Sequence, residues 1–265
     1  MNTDDNHHRE ETTLRDNPVW RCWRAGRPAI SAWLGIDSSY LAEIVASLDF
    51  DAVVVDLQHG MMDLGTAVAM FQAISAHRPA PLARVPANEP GIIMKLLDAG
   101  AYGIICPLVN SRADCERFVH ACRYAPAGGR SYGPARGFLY GGADYFEQAN
   151  HTVLTLAMIE TAEALQNLEE IIPVAGLDAI FIGPNDLSIS LGYPPGAEFQ
   201  EPALEQAIER IRARSQAAGR RVGIFCASGE NARRRIQQGF DLVIPANDTF
   251  HLKAAYGQAL AGARG

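Results

Sequence analysis

The chain of 265 residues is 48% hydrophobic and carries a formal charge of −7. That is enough apolar material for a substantial core, while an acidic chain without a long basic run excludes nucleic acid and anionic membranes as partners, both of which need phosphate-neutralising charge. No apolar run reaches the roughly 18 residues of a membrane span.

Met1 to Thr13 is polar, with acids and paired histidines but without the apolar core of a secretory signal. It reads as a disordered extension of a cytoplasmic protein, with one domain over residues 14–265. Leu14 to Ala25 is a short helix with Trp20 and Trp23 for docking. Ala29 to Leu34 is the first strand, and Ser38-Ser39 cap a helix through Leu48. Asp51 to Asp56 is the second strand and runs into Leu57-Gln58-His59-Gly60. A helix from Asp63 to His77 follows, with Leu64, Val68, Phe71 and Ile74 on one face. Pro81 to Val85, carrying Arg84, is the third strand; Gly91 to Asp98 is helical and Gly100 stops it. Tyr102 to Cys106 is the fourth strand and Ser111 to Arg123 the next helix.

Ala125 to Asp144, rich in Gly, Pro, Arg and Tyr, is expected to be a long irregular segment, and such segments often serve as lids. The fifth strand, Val153 to Thr161, contains Glu160, and the sixth, Asp178 to Ile182, breaks at Gly183-Pro184 before Asp186. A helix from Ala162 to Ile172 separates them. Glu201 to Ala218 is a strong helix, Arg221 to Cys226 the seventh strand, Asn231 to Gln238 a helix, Asp241 to Ile244 the eighth strand and Thr249 to Ala261 a last helix. Arg233-Arg234-Arg235 is taken as a solvated helix face. Five cysteines without a C-x-x-C pair form neither a disulfide framework nor a zinc ribbon, and Cys115 and Cys122 share a helix face for packing.

Eight apolar strands alternating with helices fit an α/β fold of the (β/α)8 barrel type. An internal echo supports it: Phe50-Asp51-Ala52, Ala101-Tyr102-Gly103, Leu177-Asp178-Ala179 and Phe240-Asp241-Leu242 each precede an even-numbered strand. Barrel enzymes place chemistry at the strands' carboxyl ends, where the ionisable residues are Asp56, His59, Arg84, Glu160 and Asp186. Two carboxylates leave open positions on Mg²⁺ or a similar hard ion, which can act as a Lewis acid on a carbonyl. An Arg can stabilise a developing enolate, and a histidine oriented by Asp56 can move a proton. Carbon–carbon cleavage beta to a carbonyl needs this set. Schiff-base chemistry is disfavoured, because Lys95 and Lys253 both fall inside predicted helices. Gly183-Pro184-Asn185-Asp186 lacks a phosphate cradle.

Taken in order, Val55-Asp56-Leu57-Gln58-His59, Ala83-Arg84-Val85, Lys95-Leu96-Leu97-Asp98-Ala99-Gly100, Met158-Ile159-Glu160-Thr161 and Gly183-Pro184-Asn185-Asp186-Leu187-Ser188 resemble the HpcH/HpaI aldolases, metal-dependent (class II) pyruvate aldolases. The resemblance runs from about Arg24 to Ala259. It implies a hexameric (β/α)8 barrel with Glu160 and Asp186 as ligands of Mg²⁺, Mn²⁺ or Co²⁺. Arg84 would stabilise the enolate, His59 and Asp56 would form the acid–base pair, and Asp98 would reach a neighbouring subunit's site. Backbone N–H groups around Asn185 and Asp186, after Gly183 and Pro184, would hold the substrate carboxylate. Residues from Ala125 to Asp144, with Phe225 on the seventh strand, are expected to shape the aldehyde pocket. Several family members carry Gln where this chain has Met158. The expected reaction is reversible cleavage of a 4-hydroxy-2-oxo acid into pyruvate, or a close 2-oxo acid such as hydroxypyruvate, and an aldehyde. The alternatives are a citrate-lyase-β-like acyl-CoA lyase and a non-catalytic barrel used for binding.

Overall fold

In a computed structural model describing residues 14–196 and 201–265, eight short apolar runs pair in parallel, in chain order, and close on themselves. They are β1 (Ala29–Leu34), β2 (Ala52–Asp56), β3 (Ala80–Arg84), β4 (Gly103–Cys106), β5 (Leu154–Ile159), β6 (Ala179–Ile182), β7 (Arg221–Cys226) and β8 (Leu242–Pro245), with Ala29 and Ile30 of β1 pairing Leu242 and Val243 of β8. The expected (β/α)8 barrel is therefore the observed fold. The polar extension of residues 1–13 lies outside the described residues.

Alternation along each strand sorts the apolar side chains into two cores. Trp33, Val54, Leu82, Ile105, Leu156 and Phe181 fill one cluster inside the barrel. Val53, Val55, Ala83, Ile104, Ala157 and Ile180 join another between the sheet and the surrounding helices. Strands buried on both faces need the near-continuous apolar sequences seen here.

The helices are α1 (Pro18–Arg24), α2 (Ser39–Ala46), α3 (Leu64–Ser75), α4 (Pro90–Asp98), α5 (Arg112–Cys122), α6 (Ala135–Gly141), α7 (Tyr145–Thr152), α8 (Ala162–Gln166), α9 (Leu168–Ile171), α10 (Pro184–Ser190), α11 (Pro202–Ala217), α12 (Gly229–Gln237) and α13 (Asp248–Arg264). Ser38, Asp63, Ser111, Thr161, Ser228 and Asn247 each accept a hydrogen bond from a first-turn N–H. Among the described residues no helix is long and apolar enough to cross a membrane.

Helix α1 seals the amino-terminal mouth. Asn17 caps it and donates its Nδ2 to the carbonyls of Tyr102 (3.1 Å) and Thr152 (2.9 Å). Trp23 Nε1 donates to the carbonyl of Asp241 at 2.8 Å.

The repeated junctions explain themselves at this end. Asp51 Oδ2 accepts from Ile30 N (3.0 Å), Asp178 Oδ2 from Thr155 N (2.8 Å) and Asp241 Oδ2 from Val222 N (2.9 Å). Each aspartate thus clamps an even strand to the odd strand before it. Each also meets arginine: Arg27 and Arg78 at Asp51, Arg123 at Asp178, Arg221 at Asp241. Burial raises the Asp51 carboxyl, but the Ile30 N–H, the Cys22 contact and Arg27 outweigh it and hold it below the ordinary range.

Four expectations need correcting. Ala125 to Asp144 is not irregular throughout, because α6 forms within it. The helix expected over Ala162 to Ile172 is two short helices broken at Asn167, whose side chain donates instead to the carbonyl of Asn110 at 2.9 Å. The first helix begins only at Pro18, which suits a first helical position. Arg235 is not part of a solvated face: it is 3% exposed and forms a two-point ion pair with Glu205. Cys115 and Cys122 are both buried, as packing requires.

Asp178→Ala should unfold at lower urea concentration than wild type, because it strands the buried Arg123 guanidinium. A loss on the order of 3 kcal/mol is expected. A change within about 0.5 kcal/mol, the range of an inert surface substitution, would show that the clamps are dispensable.

Candidate active site

Parallel register brings the last residues of β2 and β3, Asp56 and Arg84, side by side at the open carboxyl end. The Asp56 carboxylate accepts from Arg84 Nε (2.7 Å) and Nη2 (2.5 Å), a two-point contact between buried groups. Trp33 of β1 completes the arrangement. Its Nε1 donates to Asp56 Oδ2 at 3.1 Å, and the Arg84 guanidinium carbon stands 4.7 Å from the centroid of its ring. Phe181 stacks on Trp33 at 5.8 Å and Phe225 meets it edge-on at 5.7 Å. Burial pushes the Asp56 carboxyl up, but Arg84, Trp33 and the Gln58 N–H prevail and hold it below the ordinary range.

His59 is exposed at the rim. Asp56 Oδ1 accepts from the backbone N–H of Gln58 (3.0 Å) and of His59 (3.4 Å). Asp56 therefore orients the loop that carries His59, while its carboxylate is committed to Arg84 rather than to the imidazole. A Cβ at Gly60 would collide with the Asp56 carbonyl, so this tight turn admits only glycine.

Glu160 follows β5 and is 2% exposed. Its Oε1 accepts from Leu108 N at 2.8 Å. Leu108 reaches that position with φ of 53°, a left-handed conformation that costs a branched residue strain and is characteristic of functional sites. Asp186 stands beyond the carboxyl end of β6, in the first turn of α10. Burial, with the nearby Asp186 charge, pushes the Glu160 carboxyl up to about 7 against the pull of Leu108 N–H and Arg84. Gly183 separates the two acids, and a Cβ there would run into Glu160 Oε2 and crowd Met158.

A cavity of about 200 Å³ opens at this point, lined by Trp33, Asp56, His59, Arg84, Asp186 and Phe225 among others. Gly183, Pro184, Asn185 and Met158 also face it, so Asp56, His59, Arg84 and Asp186 meet at one cavity, whereas Glu160 is not part of its wall and lies next to Gly183. Asp98 does not line it: its Oδ1 accepts from the buried Arg130 at 2.8 Å. None of the lining residues comes from Ala125 to Asp144, a segment pinned against α4 by Arg130–Asp98 and by Arg136 Nη1 on the Ala99 carbonyl (2.7 Å). The sequence reading missed Trp33, Asn247 and Phe250 in the lining and the Leu108 N–H on Glu160. A tryptophan inside the first strand was the available signal for the first of these.

A family model described as HpcH/HpaI aldolase/citrate lyase matches residues 30–255. A hydroxypyruvate/pyruvate aldolase of Rhizorhabdus wittichii is 48% identical over 248 residues, covering 94% of this chain and 99% of its own. A 4-hydroxy-2-oxo-heptane-1,7-dioate aldolase of Klebsiella pneumoniae is 39% identical over 229 residues, covering 85% of this chain and 86% of its own. The crystal structure of an HpcH/HpaI aldolase/citrate lyase family protein from Burkholderia cenocepacia superposes with a TM-score of 0.87 at 29% identity, covering 95% of this chain and all of that one. The chain is a carbon–carbon lyase and belongs to the HpcH/HpaI aldolase/citrate lyase family.

Proposed function

We propose that the enzyme reversibly cleaves 4-hydroxy-2-oxo acids into pyruvate or hydroxypyruvate and an aldehyde, with a divalent cation as cofactor. The observation that carries this reading is a guanidinium fixed by two-point pairing in the wall of a cavity that Asp186 also lines, with the buried Glu160 carboxyl close enough to Asp186 to feel its charge. The relative named hydroxypyruvate/pyruvate aldolase supports the choice of 2-oxo acid.

The donor set fits a hard ion. Among the described residues no group of three or more His, Cys, Asp or Glu stands in ligating geometry, which leaves Glu160 and Asp186 as a two-carboxylate set. Mg²⁺ and similar ions are commonly held by one or two carboxylates, water and substrate oxygens. A cation held there supplies Lewis acidity toward the 2-oxo acid's carbonyl.

The chain's own groups do the rest. Arg84 Nε and one Nη2 hydrogen are taken by Asp56, so Nη1 and the second Nη2 hydrogen are the donors left for the oxygen on which enolate charge develops. His59, at the rim, accepts the proton of the 4-hydroxyl as the carbon–carbon bond breaks. First-turn N–H groups of Asn185 and Asp186 have no intrahelical acceptor and suit the substrate carboxylate. Lys95 on α4 and Lys253 on α13 lie outside the cavity wall, which disfavours a Schiff base.

Self-association is part of the same reading. From Thr249 onward every residue of α13 is exposed, including Leu252, Tyr256 and Leu260 at four-residue spacing. Beside it lies an apolar groove of about 350 Å³ lined by Ala32, Leu34, Leu41, Val45, Leu252 and Ala255. A stripe and a groove of this kind are surfaces that a second copy covers.

Metal dependence is tested with Glu160→Gln and Asp186→Asn, each of which should abolish turnover supported by Mg²⁺, Mn²⁺ or Co²⁺ while leaving the fold intact. Chelator-treated wild type should lose stability as the pH rises from about 4.5 to about 7, because the unfolded carboxyl ionises before the buried one. The loss is on the order of 3 kcal/mol. Glu160→Gln should lack this loss, and added cation should stabilise only the wild type. Full activity of either variant in chelator would refute the metal assignment.

Arg84→Ala should slow both aldol cleavage and oxaloacetate decarboxylation by roughly 10²–10³-fold. Asp56→Ala should follow the same pattern, since it releases the guanidinium, whereas His59→Ala should damage aldol cleavage selectively. Steady-state kinetics on the two substrates decide; an Asp56 variant that behaves like the histidine variant would reinstate a direct Asp56–His59 pair. Tyr256→Glu with Leu260→Glu should reduce the assembly to a smaller species in light scattering, and an unchanged mass would remove α13 from the interface.

A further inference from the structure

A second cavity of about 370 Å³ adjoins the first and shares Pro184, Asn185, Phe225 and Phe250 with it. Its farther wall includes Ala227, Asn231 and Arg235, on and before α12. Taking the aldolase reading above as its basis, we propose that this cavity receives the tail of the aldehyde and is built for a neutral, hydroxyl-bearing chain.

The first support is Asn231. It is 7% exposed, and its backbone N–H is used by the Ser228 cap, yet its carboxamide has no hydrogen-bond partner among the described residues. The carboxamide atoms are not sealed from the cavity, so they stay open to a ligand that enters it. Here its surroundings are the wall of a cavity contiguous with the reaction site.

The second support is the charge of the wall. Among the described residues Arg235 is the charged one lining this cavity, and Glu205 neutralises it through Nη1 (2.8 Å) and Nη2 (2.7 Å) while Gln238 takes a further contact at 3.0 Å. An aldehyde ending in a carboxylate therefore meets no uncompensated cation there. Among the described residues, what the wall does offer is hydrogen-bonding capacity without net charge: the Asn231 amide and the Asn185 Nδ2 group, whose own Oδ1 is occupied by Gly196 N at 3.0 Å. Such a set matches hydroxyl groups and discriminates against the deoxy chain of equal length, because a site that hydrogen-bonds a substrate hydroxyl rejects the analogue lacking it more strongly than it rejects a missing methylene.

The test measures kcat/KM for a trihydroxylated four-carbon aldehyde and for butanal, each with pyruvate, in wild type, Asn231→Leu and Ala227→Phe. The wild type should prefer the hydroxylated aldehyde. That preference should fall about tenfold or more in Asn231→Leu, the scale of one lost hydrogen-bonding partner, and similarly when Phe fills the cavity at position 227. The ratio is taken within each protein, so general damage cancels. An unchanged ratio in both variants, or a wild type that prefers butanal, overturns the proposal. Ligand-observed NMR with erythritol, which cannot react, separates this inference from its basis. Contact in wild type that is lost in Asn231→Leu upholds the subsite even if no aldol turnover is found, in which case the aldolase reading alone fails. Aldol turnover without any such contact overturns the subsite and leaves the aldolase reading standing.

Discussion

The pairing of Arg84 with Asp56 is the contact on which the site depends. A guanidinium on a strand end has many rotamers, and the two-point geometry at 2.7 and 2.5 Å reduces them to one. Trp33 adds a hydrogen bond to the acid and a ring face to the base. The pair is nearly dry, so breaking either half leaves the other charged and buried. That is why the three residues on β1, β2 and β3 act as a unit, and why Asp56 serves the arginine before it serves the histidine.

The opposite carboxylates follow different logic. Glu160 is held by one N–H from a residue with strained backbone, and it stands close enough to Asp186 for each charge to oppose the other. Burial is the main reason the Glu160 carboxyl resists ionisation, and the Asp186 charge adds to it against the opposing pull of Leu108 N–H and Arg84. Gly183 keeps the space between the two acids, since any side chain would fill it.

Much of this was legible in the sequence, for identifiable reasons. The eight strands announced themselves because a strand buried on both faces has little freedom of composition, and Asp56, Arg84, Glu160 and Asp186 stood at or just beyond their ends. What was not legible depended on partners distant in the chain. Trp33 meets Asp56 and Arg84 only after the barrel closes. Arg235 looked solvated beside Arg233 and Arg234, and its burial is set by Glu205 thirty residues earlier. Helix α6 was hidden by its glycines, which read as loop; Gly137 and Gly141 are small because Tyr145 packs where their Cβ atoms would be. Helix α10 was hidden by a Gly-Pro that serves as its cap and first residue.

The aspartate clamps at Asp51, Asp178 and Asp241 sit at the end of the barrel opposite Arg84 and Glu160. The chain thereby divides its labour along the barrel axis: cohesion is anchored at one pole and chemistry is displayed at the other. Natural or laboratory selection can rework the residues that line the cavities at the carboxyl end without loosening the contacts that keep the strands in register. A lineage built this way can change its substrate in small steps, each leaving a protein that still folds.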